Sequence, residues 1–232
     1  MCRNLPGEEA LSARYDVVFF DLEGTLFDPG PGIIEAARHA LLKLGIGEGS
    51  PYRLRRLVGP PLEEAFALYY GLERMDAERA ADRMRQHYLE YGIDDIRLYG
   101  GVEAMLRRLR QARTGLVGVS CGDSIYVSRL LRKHGLTPMF MSARGGSTDR
   151  GRSKRKIIEG VLDELPVLEG RSMVVVGDRE DDVLAARDLG LPCVAVGYGF
   201  GSAEELKNAE PDLTVSSVEA LSRSLLPETS ES

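Results

Sequence analysis

The chain has 232 residues, 43% hydrophobic and 28% charged, with 26 glycines, 11 prolines and no tryptophan; this is the make-up of a globular protein and excludes disordered or collagen-like chains. Thirty basic residues stand against thirty-six acidic ones for a formal charge of −6, and the basic ones are scattered, so no nucleic-acid partner is expected. No apolar stretch approaches the roughly 18–20 residues of a membrane-spanning helix, and Met1–Arg14 lacks a signal-peptide apolar region, so a cytoplasmic protein with no membrane partner is expected.

Short apolar runs ending in Gly or Asp alternate with longer segments of helical period, the signature of an α/β protein with a doubly wound parallel sheet. The first run is Asp16–Leu22. The interval from Asp28 to Tyr99 is then helical in pattern and holds no convincing strand. Its stripes are Ile33, Ile34, Ala37, Leu41 and Leu44, then Leu62, Ala65, Phe66 and Tyr69, then Ala80, Met84, His87, Tyr88 and Tyr91. One crossover needs a single helix, so the surplus predicts an inserted helical lid over the carboxyl ends of the strands. The expected division is a core of residues 1–28 and 98–232 and a lid of residues 29–97. The rhythm then resumes with strands at Leu116–Ser120, Ser172–Asp178 and Pro192–Tyr198 and weaker ones near Phe140 and Leu213. Helices are predicted at Gly101–Ala112, Ser124–His134, Ser153–Leu165 and Arg179–Leu189. Both chain ends are polar and without period, and are expected to fray.

Chemistry gathers where strands end. Asp21 closes the first strand and Glu23 follows it in the turn Gly24-Thr25. Asp178 ends another strand, and Asp182 lies in the first turn of the next helix, where a carboxylate also favours the helix dipole. Like charges at neighbouring strand ends are costly unless a cation is held between them, and oxygen-only ligands suit Mg²⁺. Ser120, followed by Cys121 and Gly122, puts a hydroxyl and backbone amides at a strand-to-helix turn that Asp123 or Ser124 can cap, a cradle for an anion as well as a helix cap. Lys154 opens a helix, where the dipole disfavours a cation, so an anionic partner is implied; Arg152 and Lys156 compete for the same role.

In this order, Asp21-Leu-Glu-Gly-Thr25, Ser120, Lys154 and Gly177–Asp182 resemble the motifs of the haloacid dehalogenase superfamily. "LVGPPLEEAF" and "LYGGVEAMLRRLR" look like its phosphoglycolate phosphatase-like branch with a helical cap. The resemblance implies that Asp21 attacks phosphorus and forms an aspartyl-phosphate that water cleaves. It implies that Ser120, Lys154 and the turns Gly24-Thr25 and Cys121-Gly122 bind the phosphoryl oxygens. Mg²⁺ is then held by Asp21, Asp178 and the backbone carbonyl of Glu23, with Asp182 supporting or ligating it. A metaphosphate-like transition state calls for such cations and donors.

Two departures from the family pattern stand out. The acid two residues after the nucleophile is usually Asp and here is Glu23, which keeps the chemistry and changes the reach, so slow but real turnover is expected. Cys121-Gly122 replaces the usual polar residues after the motif hydroxyl. Cys121 is read as a small packed side chain rather than a reactive one. Substrate selection is assigned to the lid, with Arg56 the candidate anion contact beside Arg53 and Arg55, although a solvated helix face would look the same. The expectation is a monomeric Mg²⁺-dependent phosphatase for a small phosphorylated metabolite such as phosphoglycolate. The alternatives are a sugar-phosphate mutase, or a non-catalytic phosphate- and Mg²⁺-binding relative impaired by Glu23.

Overall fold

The structure, a computed structural model, describes residues 13–57, 61–146 and 153–226. The expectations attached to Arg152 and to the fraying chain ends lie outside these residues.

From the N-terminus the elements are β1 Val17–Asp21, β2 Phe27–Asp28, α1 Gly30–Leu42, α2 Pro51–Arg55, α3 Leu62–Tyr70, α4 Arg74–His87, a π-helical turn Tyr88–Gly92, α5 Ile93–Asp95 and β3 Arg97–Leu98. There follow α6 Val102–Gln111, β4 Gly115–Asp123, α7 Ser124–Lys133, β5 Ser142–Gly146, α8 Lys154–Glu164, β6 Met173–Gly177, α9 Glu180–Asp188, β7 Cys193–Val196, α10 Ala203–Ala209, β8 Leu213–Val215 and α11 Val218–Leu225.

Six strands form a parallel sheet in the order β5-β4-β1-β6-β7-β8. Each strand side packs a separate cluster: Val18, Phe20, Leu116, Val174 and Val176 face one helical layer, and Val17, Phe19, Val117, Val119 and Val175 face the other. Burial on both faces is why these strands read as continuous apolar runs. In register, Asp21 lies opposite Val119 of β4 and Phe20 opposite Val176 of β6. The ends of the three central strands therefore meet.

Helices α1–α4 bury a third cluster of their own, including Ile34, Ala37, Leu41, Leu54, Phe66, Ala80 and Met84. The interval is not wholly helical, however. β2 and β3 pair antiparallel, Phe27 with Leu98 and Asp28 with Arg97, in a ribbon across the two passages between helical unit and sheet. Two-residue strands far apart in sequence leave no periodic trace. The stripe through Tyr88 and Tyr91 also breaks: at the π-helical turn Tyr91 swings out to 48% exposure while Tyr88 turns inward. The weak strand near Phe140 lies slightly later, at Ser142–Gly146. β4 runs past Ser120 to Asp123, with its pairing to β5 interrupted at Cys121-Gly122, so these two residues form an irregularity within the strand. Asp123 rather than Ser124 caps α7, its Oδ1 accepting from the Tyr126 amide at 2.7 Å.

Candidate active site

The turn after β1 is tight, with the Leu22 carbonyl accepting from the amides of Leu26 at 2.8 Å and Phe27 at 2.9 Å. It leaves Asp21 at the sheet edge only 7% exposed, beside Ser120 at 3%, Lys154 at 5%, and Asp178 and Asp182 at 1% each. One oxygen from each of Asp21, Asp178 and Asp182 lies within 4.8 Å of the others. The Lys154 ammonium is hydrogen-bonded to Asp21 Oδ1 and lies 2.8 Å from Asp182 Oδ1. Lys154 is thus the lysine that enters the cluster, whereas Lys156 is exposed.

Second contacts fix the carboxylates. Asp178 Oδ2 accepts from the Phe200 amide at 2.7 Å, and Asp182 Oδ2 from the Arg179 amide at 3.1 Å as part of a capping box at α9. Gly24, at φ +86°, passes so close that a Cβ there would lie 2.1 Å from Asp178 Oδ2. Thr25 is fully buried; its carbonyl accepts from the Tyr198 hydroxyl at 2.9 Å, and its Oγ1 has no partner among the described residues. Ser120 Oγ accepts from the Gly122 amide at 3.0 Å.

Electrostatics follow from burial. Desolvation holds the Asp21 carboxyl well above the ordinary carboxylate range against the opposing Lys154 charge, and Asp182 and Asp178 push the same way as burial. Desolvation likewise pushes Asp178 up to about 6. Burial works against the Lys154 charge, but Asp182 and Asp21 outweigh it and raise its pKa. Three buried carboxylates facing one ammonium leave excess negative charge in an oxygen-only donor set, and this fits a hard divalent cation.

Asp21, Glu23, Ser120, Cys121, Gly122, Lys154, Asp178 and Asp182 line one cavity of about 470 Å³, together with Ile33 and Tyr88 from the helical unit. Arg56 stands elsewhere: it is exposed, with its guanidinium 4.1 Å from the Tyr69 ring centroid. Its neighbour Arg55 lines a separate cavity with Asp28, Tyr99, Tyr198 and Phe200. Burial raises the Cys121 thiol, which suits packing rather than nucleophilic reactivity. Sequence reasoning missed the partners of Glu23, whose Oε1 accepts from the hydroxyls of Tyr88 at 2.6 Å and Tyr126 at 2.5 Å. It also missed the Tyr198–Phe200 loop that closes on Asp178. Neither has a local signal, since the partners lie far apart along the chain.

A doubly wound sheet with a helical insertion, its central strand ends carrying buried carboxylates around a lysine, defines a hydrolase of the phosphoryl-transfer type. Residues 18–196 match the model of the haloacid dehalogenase-like hydrolase family, and the chain belongs to that family. It is 32% identical over 199 residues to a 5'-nucleotidase of Pseudomonas aeruginosa, covering 85% of this chain and 90% of that protein. It is 34% identical over 200 residues to the tyrosine-protein kinase PtkA of Mycobacterium tuberculosis, covering 86% of this chain and 66% of PtkA. A phosphoglycolate phosphatase of Aliivibrio fischeri is 29% identical over 209 residues, with 85% and 90% covered. Among solved structures, a candidate phosphatase from Clostridium difficile superposes with a TM-score of 0.81 at 31% identity, over 91% of this chain and 99% of that one.

Proposed function

We propose that this hydrolase is a Mg²⁺-dependent phosphatase acting, as a cytoplasmic monomer, on a small phosphomonoester of the phosphoglycolate type. The observation that carries the reading is the burial of Asp21 among Lys154, Asp178 and Asp182 at the meeting strand ends, with Glu23 in the same cavity. Relatives named as a 5'-nucleotidase and a phosphoglycolate phosphatase support a phosphomonoester as substrate. We assign residues 29–97 to the lid and the remainder to the core.

Asp21 Oδ forms a bond to phosphorus as the bond from phosphorus to the ester oxygen breaks, and Glu23 gives that oxygen a proton. Glu23 then takes a proton from water as the water oxygen bonds to phosphorus; the Asp21–phosphorus bond breaks, returning Asp21 to its carboxylate and releasing phosphate. Lys154 and the Ser120 hydroxyl offset charge on the phosphoryl oxygens, whereas the Gly122 amide is given to Ser120 Oγ and the Gly24 amide to the Phe27 carbonyl within its own turn. Mg²⁺, held by Asp21, Asp178 and Asp182 with the Glu23 carbonyl, supplies further neutralisation of that charge when bound. The test is phosphate release from phosphoglycolate, sugar phosphates, nucleotides and pyrophosphate, with and without Mg²⁺. Release that requires the metal and disappears in Asp21→Asn is expected; release that persists in Asp21→Asn removes Asp21 as nucleophile.

A further inference from the structure

Glu23 carries one methylene more than the aspartate its position implies, and a longer side chain has more rotamers to lose before it can transfer a proton at a fixed point. In this chain two tyrosines from different layers converge on it. Tyr88 comes from the π-helical turn of the helical unit and Tyr126 from the first turn of α7 on the sheet, and both hydroxyls end on the same oxygen, Oε1, at 2.6 and 2.5 Å. Among the described residues Oε2 accepts no hydrogen bond, so it is the oxygen left for proton transfer.

Both rings sit in places made for them. A Cβ at Gly92 would lie 2.4 Å from Tyr88 Cδ2, and one at Gly122 would lie 3.0 Å from Tyr126 Cδ1. Gly122 is one of the chain's departures from the family pattern and Glu23 is another; Tyr126 touches both. Asp123 caps α7 through the Tyr126 amide and so fixes that residue's backbone. Gly32 of α1 seats the π-helical turn, since a Cβ there would lie 2.7 Å from the Gly92 carbonyl. Such turns are frequent where a helix serves a site. Burial, followed by the nearby Glu23 charge, holds both phenols well above their ordinary range, so both act as donors.

The geometry points to Tyr88 and Tyr126 as positioning residues that clasp Glu23, with Tyr88 tying the placement of the proton-transfer group to the seating of the helical unit. This rests on the phosphatase reading for its catalytic consequence, though not for its structural one.

The experiment compares Tyr88→Phe, Tyr126→Phe, the double variant and Glu23→Gln on an alkyl phosphate and on p-nitrophenyl phosphate, whose leaving group needs no proton. In kcat/KM, each single variant is expected to lose about tenfold on the alkyl ester, and the double variant to approach the hundredfold or greater loss of Glu23→Gln. On the aryl ester kcat/KM of the tyrosine variants is expected to fall by much less than on the alkyl ester, because proton donation matters only to the poor leaving group. Equal losses on both esters, or none on the alkyl ester, overturn the assignment. Amide hydrogen exchange of residues 88–92 provides a readout independent of turnover: Tyr88→Phe should speed it about tenfold, as expected on losing a hydrogen bond to a charged group. The acceleration should vanish in a Glu23→Ala background, and an acceleration of the same size there overturns the clasp. If the wild-type chain releases no phosphate from any ester, the phosphatase reading fails, and the exchange result alone decides the clasp.

Discussion

At the scale of single residues the site is set by how closely backbone can approach a carboxylate. Gly24 combines a left-handed φ of +86° with a Cβ position 2.1 Å from Asp178 Oδ2, so no side chain fits without displacing Asp178. Gly24→Ala is expected to cost about 2 kcal/mol in backbone and steric strain, lowering Tm by roughly 4–8 °C. If Mg²⁺ binds as proposed, the variant should also show a smaller rise in Tm on adding the metal than the wild type does; thermal melts with and without Mg²⁺ check both. An unchanged Tm would mean that the loop can open away from Asp178 without loss. Gly24 was legible in the sequence as a turn residue and Asp178 as the acid that ends a strand. Their mutual contact was not, because Gly24 and Asp178 lie on different strand-end loops and meet only when β1 pairs with β6.

At the scale of elements, Glu205 joins two helix starts. It accepts from Arg179 Nε at 2.7 Å and from the Glu180 amide at 3.0 Å at the start of α9, and from the Ser202 amide at 3.4 Å at the start of α10. Through this junction α9 is held where Asp182 reaches the lysine. Partial burial opposes the Glu205 charge, but Arg179 and the backbone donors outweigh it and hold its pKa below the ordinary value of 4.5. A carboxylate lowered in the folded state contributes its stability in full above that ordinary value and loses it as pH falls through the folded one. Glu205→Gln should therefore melt about 2–4 °C below wild type near neutral pH, and the gap should close as the pH of the melts is lowered past the ordinary value of 4.5 and through the lower folded-state one. A gap independent of pH would assign the effect to shape rather than charge. The capping box of Ser202 and Glu205 is confined to one helical turn, whereas the reach of Glu205 to α9 is a consequence of β6 and β7 lying side by side.

At the scale of the whole molecule, the helical unit contributes Ile33 and Tyr88 to a cavity of about 470 Å³, in the range of small-molecule sites. A phosphorylated side chain on a peptide would have to enter with its backbone across this unit. We expect kcat/KM for a tyrosine-phosphorylated peptide to be at least about a hundredfold below that for the preferred small ester, measured by phosphate release. Equal values would show that the helical unit does not restrict entry, a result of interest given the 34% identity to a tyrosine-protein kinase.

The sequence by itself determined the alternation of strands and helices, the helical character of the insertion, and the order of Asp21, Ser120, Lys154, Asp178 and Asp182. Each of these rests on local physics: the side-chain period of the element, the turn chemistry at its end, and the cost of a charged residue at a strand end. The tertiary structure alone decided which groups touch. Lys154 bridges Asp21 and Asp182, two-residue strands β2 and β3 pair across the insertion, and Tyr88 leaves a helical stripe to meet Tyr126 on Glu23. Those contacts join residues 65 and 103 positions from Glu23, and 133 positions apart for Lys154 and Asp21. No periodicity carries information over such distances; only the packing of the completed sheet and helices brings the partners into hydrogen-bonding range.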